Sequence, residues 1–191
     1  MHARPPAVFV GLALLASGCG NERPADVPLA RPLSSEAALH RFPAAGLSLE
    51  LPKNVVVRRS SRPGVFRGAV GEGFVSAFAY RRKEQIPRTD RELEKARKRL
   101  ESAVKKREDG YSLGSSRVTR IDGARAVDLV GDQTISQRRL RIRSLHIYRG
   151  KAEYVIELAA PVGGFEAIDR AVSPLLRRTV DVSGKVRAGG R

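Results

Sequence analysis

Residues 139–160 read RLRIRSLHIYRGKAEYVIELAA, two runs of strand-forming residues joined around a glycine. Apolar and polar side chains alternate with period two on both sides of Gly150, the pattern of an antiparallel hairpin with one buried face. The loop length decides which residues share that face, because a slip of one residue exchanges the two sides of a strand. A three-residue loop, Arg149-Gly150-Lys151, gathers Leu140, Ile142, Ser144, His146 and Tyr148 with Tyr154, Ile156, Leu158 and Ala160 on the core side. A two-residue loop would instead set Glu157 among the core residues, so the three-residue loop is the expectation. On the reverse face it puts Arg143 opposite Glu157, Ile147 opposite Glu153 and Leu145 beside Val155. That face is half apolar, and a helix is expected to cover part of it.

Working outward, Asp122-Gly123 is a type I′ hairpin signal between strands Ser115–Ile121 and Ala124–Val130. Before them, Thr89-Asp90-Arg91-Glu92 has the spacing of a capping box, which predicts a helix running to about Arg107 and closed by Asp109-Gly110. Its apolar stripe is Leu93, Ala96, Leu100, Ala103 and Val104, and Glu94, Arg97 and Glu101 can pair with basic or acidic neighbours on its wet side. Earlier strands are predicted at Leu47–Leu51, Val55–Val57, Val65–Val70 and Phe74–Tyr80, with Phe74, Phe78 and Tyr80 on one face. Ser35 to Leu39 is expected to form a brief helical turn. Toward the end, Gly163-Gly164 precedes the helical stripe Phe165, Ile168, Val172, Leu175 and Leu176, which Pro174 should kink or split, and Thr179 to Val182 is a last short strand. The order of elements implies an α+β fold, an antiparallel sheet flanked by helices.

Three local marks carry a further likeness: Gly46-Leu47-Ser48-Leu49-Glu50-Leu51-Pro52, Asp122-Gly123-Ala124-Arg125-Ala126, and Gly150-Lys151 running into Tyr154-Val155-Ile156-Glu157-Leu158. Over roughly residues 42 to 182 the chain resembles the PsbP/Mog1-like group, particularly envelope lipoproteins of the LpqN and DcrB types. The resemblance implies a three-layer α/β/α arrangement and an accessory or binding role rather than catalysis.

The N-terminus places Arg4, then the apolar run Ala7 to Ala16, directly before Leu15-Ala16-Ser17-Gly18-Cys19. About ten apolar residues make roughly 15 Å of helix, half of what a bilayer core requires. The layout is that of a signal peptide, and the last five residues resemble a bacterial lipobox, with the thiol of Cys19 as the site of lipidation. A plain secretory signal cleaved nearby, or a short buried N-terminal segment with an incidental cysteine, is the alternative. Cys19 is the sole cysteine of the 191-residue chain, so no intrachain disulfide can form. The expected organisation is a signal peptide over 1–18, a lipid-anchored linker over 19–38 containing Pro24, Pro28 and Pro32, a folded domain over 39–182 and a disordered basic tail over 183–191.

With 41% hydrophobic residues and no tryptophan, the core must be aliphatic, and the formal net charge of +16 makes the protein strongly basic. Export argues against nucleic acid as the partner of that charge. The expected partners are the membrane, through lipidated Cys19, and an envelope protein, anionic lipid or polyanion. The expected location is the outer face of the cell membrane, or the outer membrane in a cell with two. Arg139, Arg141 and Arg143 alternate along one strand, so they are expected to form one exposed basic strip that contacts an anionic surface.

Chemistry is not signalled. His40 and His146 are far apart in sequence and lack the neighbours of a metal motif, so no metal or cofactor is expected. His146 is expected to be a buried, satisfied histidine. Gly68, Gly71 and Gly73 lie between strands without the helix that a dinucleotide site needs, and Asp122, Asp128 and Asp132 match no calcium loop and are expected to be solvated. The leading expectation is a membrane-anchored, non-catalytic binding or accessory module of the envelope. An envelope hydrolase or transferase, or a carrier of lipid or small molecules, is the alternative; convergent titratable groups in a cleft would favour the enzyme and a deep apolar cavity the carrier.

Replacing Cys19 with Ala should abolish incorporation of labelled fatty acid and release the protein from membranes at high salt. Retention of label by Cys19→Ala would end the lipoprotein reading.

Overall fold

The computed structural model describes residues 32–107, 110–135 and 137–186. The expected signal peptide, Cys19, Pro24, Pro28, Asp109 and the last residues of the expected tail lie outside the described residues. The elements, in chain order, are β1 (Ala37–Phe42), β2 (Leu47–Pro52), β3 (Val56–Arg59), β4 (Gly64–Val70), β5 (Gly73–Arg81), α1 (Asp90–Arg107), β6 (Tyr111–Ile121), β7 (Ala124–Ile135), β8 (Arg138–Arg149), β9 (Ala152–Pro161), α2 (Val162–Thr179) and β10 (Asp181–Val182). Seven strands form one antiparallel sheet in the order β3-β4-β5-β9-β8-β7-β6, and β1-β2-β10 form a second, small one. The α+β architecture expected from the sequence is the one observed.

α2 and the small sheet cover one side of the large sheet. Leu47, Leu49 and Leu51 of β2 meet Phe165, Ile168, Val172 and Leu176 of α2 and the inward residues Leu145, Ile147, Tyr154, Ile156 and Leu158 in one aliphatic core. Phe42 stacks on Phe66 at 4.8 Å between ring centroids. α1 lies on the opposite side, where Leu93, Ala96 and Leu100 pack against Val127, Leu129 and Tyr148. Its start is the predicted capping box: Glu92 N donates to Thr89 Oγ1, and the Glu92 carboxylate accepts from Thr89 N, both at 3.2 Å.

The hairpin at Gly150 corrects the expected register. Arg149 pairs with Ala152, so the loop has two residues, Gly150-Lys151, and Gly150 has φ +63°. A positive φ at the first loop position suits the II′ turn, which favours glycine there. Leu145 and Ile147 therefore share the core face with Tyr154, Ile156 and Leu158, while Leu140, Ile142, Ser144, His146 and Tyr148 turn to the α1 side with Glu153, Val155 and Glu157. Glu157 stands opposite Ser144, and Arg143 opposite Leu158.

Arg139, Arg141 and Arg143 do share one face, but it is the face that α2 covers. Arg139 and Arg141 donate to Asp132, Arg141 also to Glu166, and Arg143 to Asp169 and to Ser173 Oγ. Side-chain exposure falls from 68% at Arg139 to 30% at Arg141 and 16% at Arg143. The exposed strip thus shrinks to its Arg139 end, because α2 lies over the other two. Asp128, expected to be solvated, is 2% exposed and accepts from Arg117 and Arg177, with Arg143 Nε 3.3 Å away. It ties β6, β7, β8 and α2 together.

Other differences are local. Residues 37 and 38 belong to β1 rather than to a helical turn or linker, since pairing Ala38 with Leu51 and His40 with Leu49 satisfies the backbone along β2. Asn54 binds Pro32 O and Ser34 N, so the folded part begins before residue 39. Ser183 N donates to Gly46 O and Val186 packs against the core, which moves the start of the tail beyond them. α2 is one helix through Pro174: that residue is exposed, so the carbonyl it leaves without a donor can turn to water.

Asp128→Ala should destabilise the fold by about 3 kcal/mol, the low end for removing one partner of a buried ion pair, because Arg117 and Arg177 can turn to water. Urea unfolding at pH 7 measures it; a change under 1 kcal/mol would show that Asp128 does not join these elements.

Candidate functional site

The α1 side of the large sheet is only partly covered. α1 packs on β6 and β7 and meets β8 at Tyr148, and the floor it leaves over the rest of β8, β9 and β5 forms a groove of about 470 Å³. Leu100, Ala103 and Val104 form its helical wall; Phe78, Ile142 and Val155 contribute apolar floor, with polar groups between them. A second depression of about 450 Å³ adjoins it through Arg82, Leu100 and Glu153 and opens beside Lys95 and Arg99.

Strand register arranges the floor in rows. Phe78, Val155, His146 and Val127 form one; Ser76, Glu157, Ser144 and Leu129 the next. The first holds a fixed charge pair. Glu153, 1% exposed and one pleat along β9, takes His146 Nδ1 at 2.8 Å and the Arg82 guanidinium on its two oxygens. Arg82 is held at the end of β5 by its own backbone N–H, which donates to Lys151 O at 2.8 Å. Burial works to raise the Glu153 pKa, but His146, by hydrogen bond and charge, and Arg82 outweigh it and leave the carboxyl below its ordinary range. Burial, reinforced by the Glu153 charge, pushes the Tyr148 phenol well up.

Glu157 is different. Its hydrogen-bond partner among the described residues is the Ser144 hydroxyl, at 3.5 Å. Burial raises its pKa above the usual carboxylate range, against the opposing influence of His146 and Ser144.

His146 and Glu157 therefore meet in this groove, while His40 sits in the small sheet, on β1, with its pKa lowered by burial. Among the described residues no group of three or more His, Cys, Asp or Glu is placed to hold a metal ion. The hydroxyl of Ser144 is bonded to Glu157 rather than to His146, so the nucleophile–base contact of hydrolytic triads is not formed.

No protein-family model and no curated protein matches the chain. Solved structures do. CyanoP from Synechocystis sp. PCC 6803 superposes with a TM-score of 0.56 over 78% of this chain and 93% of its own, at 9% identity. The fold is PsbP-like. LpqN of Mycobacterium tuberculosis, involved in cell envelope biogenesis, gives 0.53 over 77% and 90%, at 11% identity. Identities this low carry the PsbP-like fold to this chain and nothing of ligand or activity.

Within this PsbP-like domain the sequence did hold one signal for the groove: two glutamates at strand spacing in an otherwise apolar run, Glu153 and Glu157. The three-residue loop expected at Gly150 keeps Glu153 and Glu157 on the side away from Tyr154, Ile156 and Leu158, where they do lie, but separates them from Ser144 and His146, which they meet. Their opposite shifts make a paired prediction. Glu153, with a lowered folded pKa, contributes stability above its unfolded pKa that is lost as pH falls through the folded value. Glu157, with a raised one, contributes stability below its unfolded pKa that is lost as pH rises through the folded value. Urea titrations should find Glu153→Gln destabilised at pH 7 with the deficit shrinking on acidification, and Glu157→Gln gaining relative to wild type between pH 4 and pH 8. The same sign for both variants would contradict the two environments.

Proposed function

We propose that this protein is a cell-envelope lipoprotein, held at its membrane by lipidated Cys19, whose domain is a non-catalytic binding module with the open groove as its binding surface. The observation that carries the reading is the uneven cover of the sheet: one side is sealed by α2 and the small sheet, while on the other α1 leaves β8, β9 and β5 accessible. A concave floor with apolar walls and a few convergent polar groups is the usual form of a ligand site. The apolar run before Cys19 and the envelope role of the similarly folded LpqN support the location. No helix among the described residues is long and apolar enough to cross a membrane. Of the arginine strip, Arg139 is exposed enough to meet an anionic lipid or polyanion, with Arg141 and Arg143 engaged by acids of the fold.

One observation favours a second reading. The His146–Glu153 pair resembles the oriented imidazole of general acid–base catalysts, and an enzyme would use it on a ligand above Glu157. Turnover of a bound ligand, lost in His146→Gln, would replace the binding module with that enzyme.

A photoreactive amino acid placed at Ala103, on the groove wall, should crosslink a specific envelope component in living cells, and filling the floor with Ser144→Trp should abolish the product. The same reagent at Arg170, on α2, should not form it. Equal crosslinking from both positions would remove the groove as the binding surface.

A further inference from the structure

Glu157 lines the groove from the middle of β9. Its neighbours in the same row are Ser76 on β5 and Ser144 on β8, so small side chains flank the carboxylate on both sides. Taller groups rise around it: Phe78 and Ile142 on the adjacent rows, and Leu100 and Val104 on the α1 wall. The result is a carboxylate at the bottom of a well with apolar sides.

The other deeply placed acids have cations. Asp128 holds Arg117 and Arg177, Asp169 holds Arg143, and Glu153 holds Arg82 and His146. Glu157 forms no such ion pair among the described residues; it accepts from Ser144 and lies within the electrostatic reach of His146 in the same groove. In a chain with 36 lysines and arginines against 20 aspartates and glutamates, Glu157 is the groove carboxylate left without an ion pair among the described residues. Leaving a carboxylate in a low-dielectric cleft without a counter-charge is costly, and a ligand that brings one recovers that cost on binding.

We propose that the groove binds a primary amine carried on an apolar stem, with Glu157 as counter-ion to the ammonium group. This rests on the groove being the binding surface. The ammonium donates to the Glu157 carboxylate and to the Ser144 hydroxyl, and its three donors suit a narrow well better than a planar guanidinium. The stem lies along Leu100, Val104 and Ile142, and the ring of Phe78, diagonal to Glu157, offers a π face to the cation. Glu153 is neutralised by Arg82, so the unbalanced charge on the floor is that of Glu157, which would repel a carboxylate or phosphate ligand. The positive net charge opposes a cation at long range, but salt confines that field to about 8 Å at physiological ionic strength, and the arginines beneath α2 are neutralised by their own acids.

The test uses the full-length protein in detergent micelles and three probes of one shape: n-hexylamine, n-hexanol and hexanoate. Isothermal titration at pH 7 should give hexylamine at least tenfold tighter binding than hexanol, with hexanoate weakest. Glu157→Gln should reduce hexylamine to the hexanol level and leave hexanol unchanged, with a urea midpoint no lower than wild type confirming the fold. Ser144→Leu, which fills the well, should lose all three. Hexylamine binding that survives Glu157→Gln overturns the proposal, as does hexanol or hexanoate binding at least as tightly. In that last case the groove still binds and only the amine chemistry falls. Absence of binding by every probe also overturns it, and the Ala103 crosslink then decides separately whether the groove binds anything.

Discussion

A strand register admits two faces and no intermediate, since one residue of slip exchanges every side chain across the sheet. In this protein the choice is made at Gly150-Lys151, where a two-residue turn with φ +63° at Gly150 locks Arg149 against Ala152. Both sides of the molecule follow from it. Leu145, Ile147, Tyr154, Ile156 and Leu158 are delivered to the core beneath α2, and Ser144, His146, Glu153 and Glu157 to the side that α1 leaves partly open. Because β9 lies between β8 and β5, the same register also sets which residues of β5 share a row with which of β8.

The strongly basic composition is absorbed unevenly. On the α2 side, buried or half-buried acids collect arginines from several elements: Asp128 from β6 and α2, Asp132 from β8, and Asp169 the far end of Arg143. An arginine there covers apolar surface with its stem while its planar head binds two partners, which lysine does less well. These residues join strands to helix, so they act in the fold before they can act on a ligand. On the floor of the groove the arrangement is sparser, with Glu153 paired to Arg82 and His146 and Glu157 bonded to Ser144.

That contrast explains why the groove is a better candidate for function than the arginine strip. A closed network of opposite charges has little left to offer a partner, and breaking it costs stability. A cleft whose polar groups are only partly matched keeps free energy available for binding, and sites of this kind are where shifted pKa values gather. The cover of α1 is incomplete for a simple reason. Its stripe of Leu93, Ala96 and Leu100 packs on Val127 and Leu129 and meets β8 at Tyr148, so one helix leaves much of β8, β9 and β5 open on that side.

The sequence by itself determined the class of fold and most of its elements. Period-two alternation in β2, β4, β5 and the β6–β9 meander, the capping box at Thr89 and the Asp122-Gly123 turn are local signals, each read within a few residues. They also sufficed to place Arg139, Arg141 and Arg143 on a common face. Which face that was, and whether Glu157 looked into a core or a cleft, depended on what lay above the sheet. No local pattern says where α1 stops or that α2 reaches over Arg143, because cover is a contact between segments distant in the chain. An argument that a glutamate must not enter a core is sound where both sides of a sheet are sealed. Here one side is partly open, and only the tertiary structure, by leaving much of β8, β9 and β5 uncovered on the α1 side, made the register with Glu157 facing Ser144 the physically acceptable one.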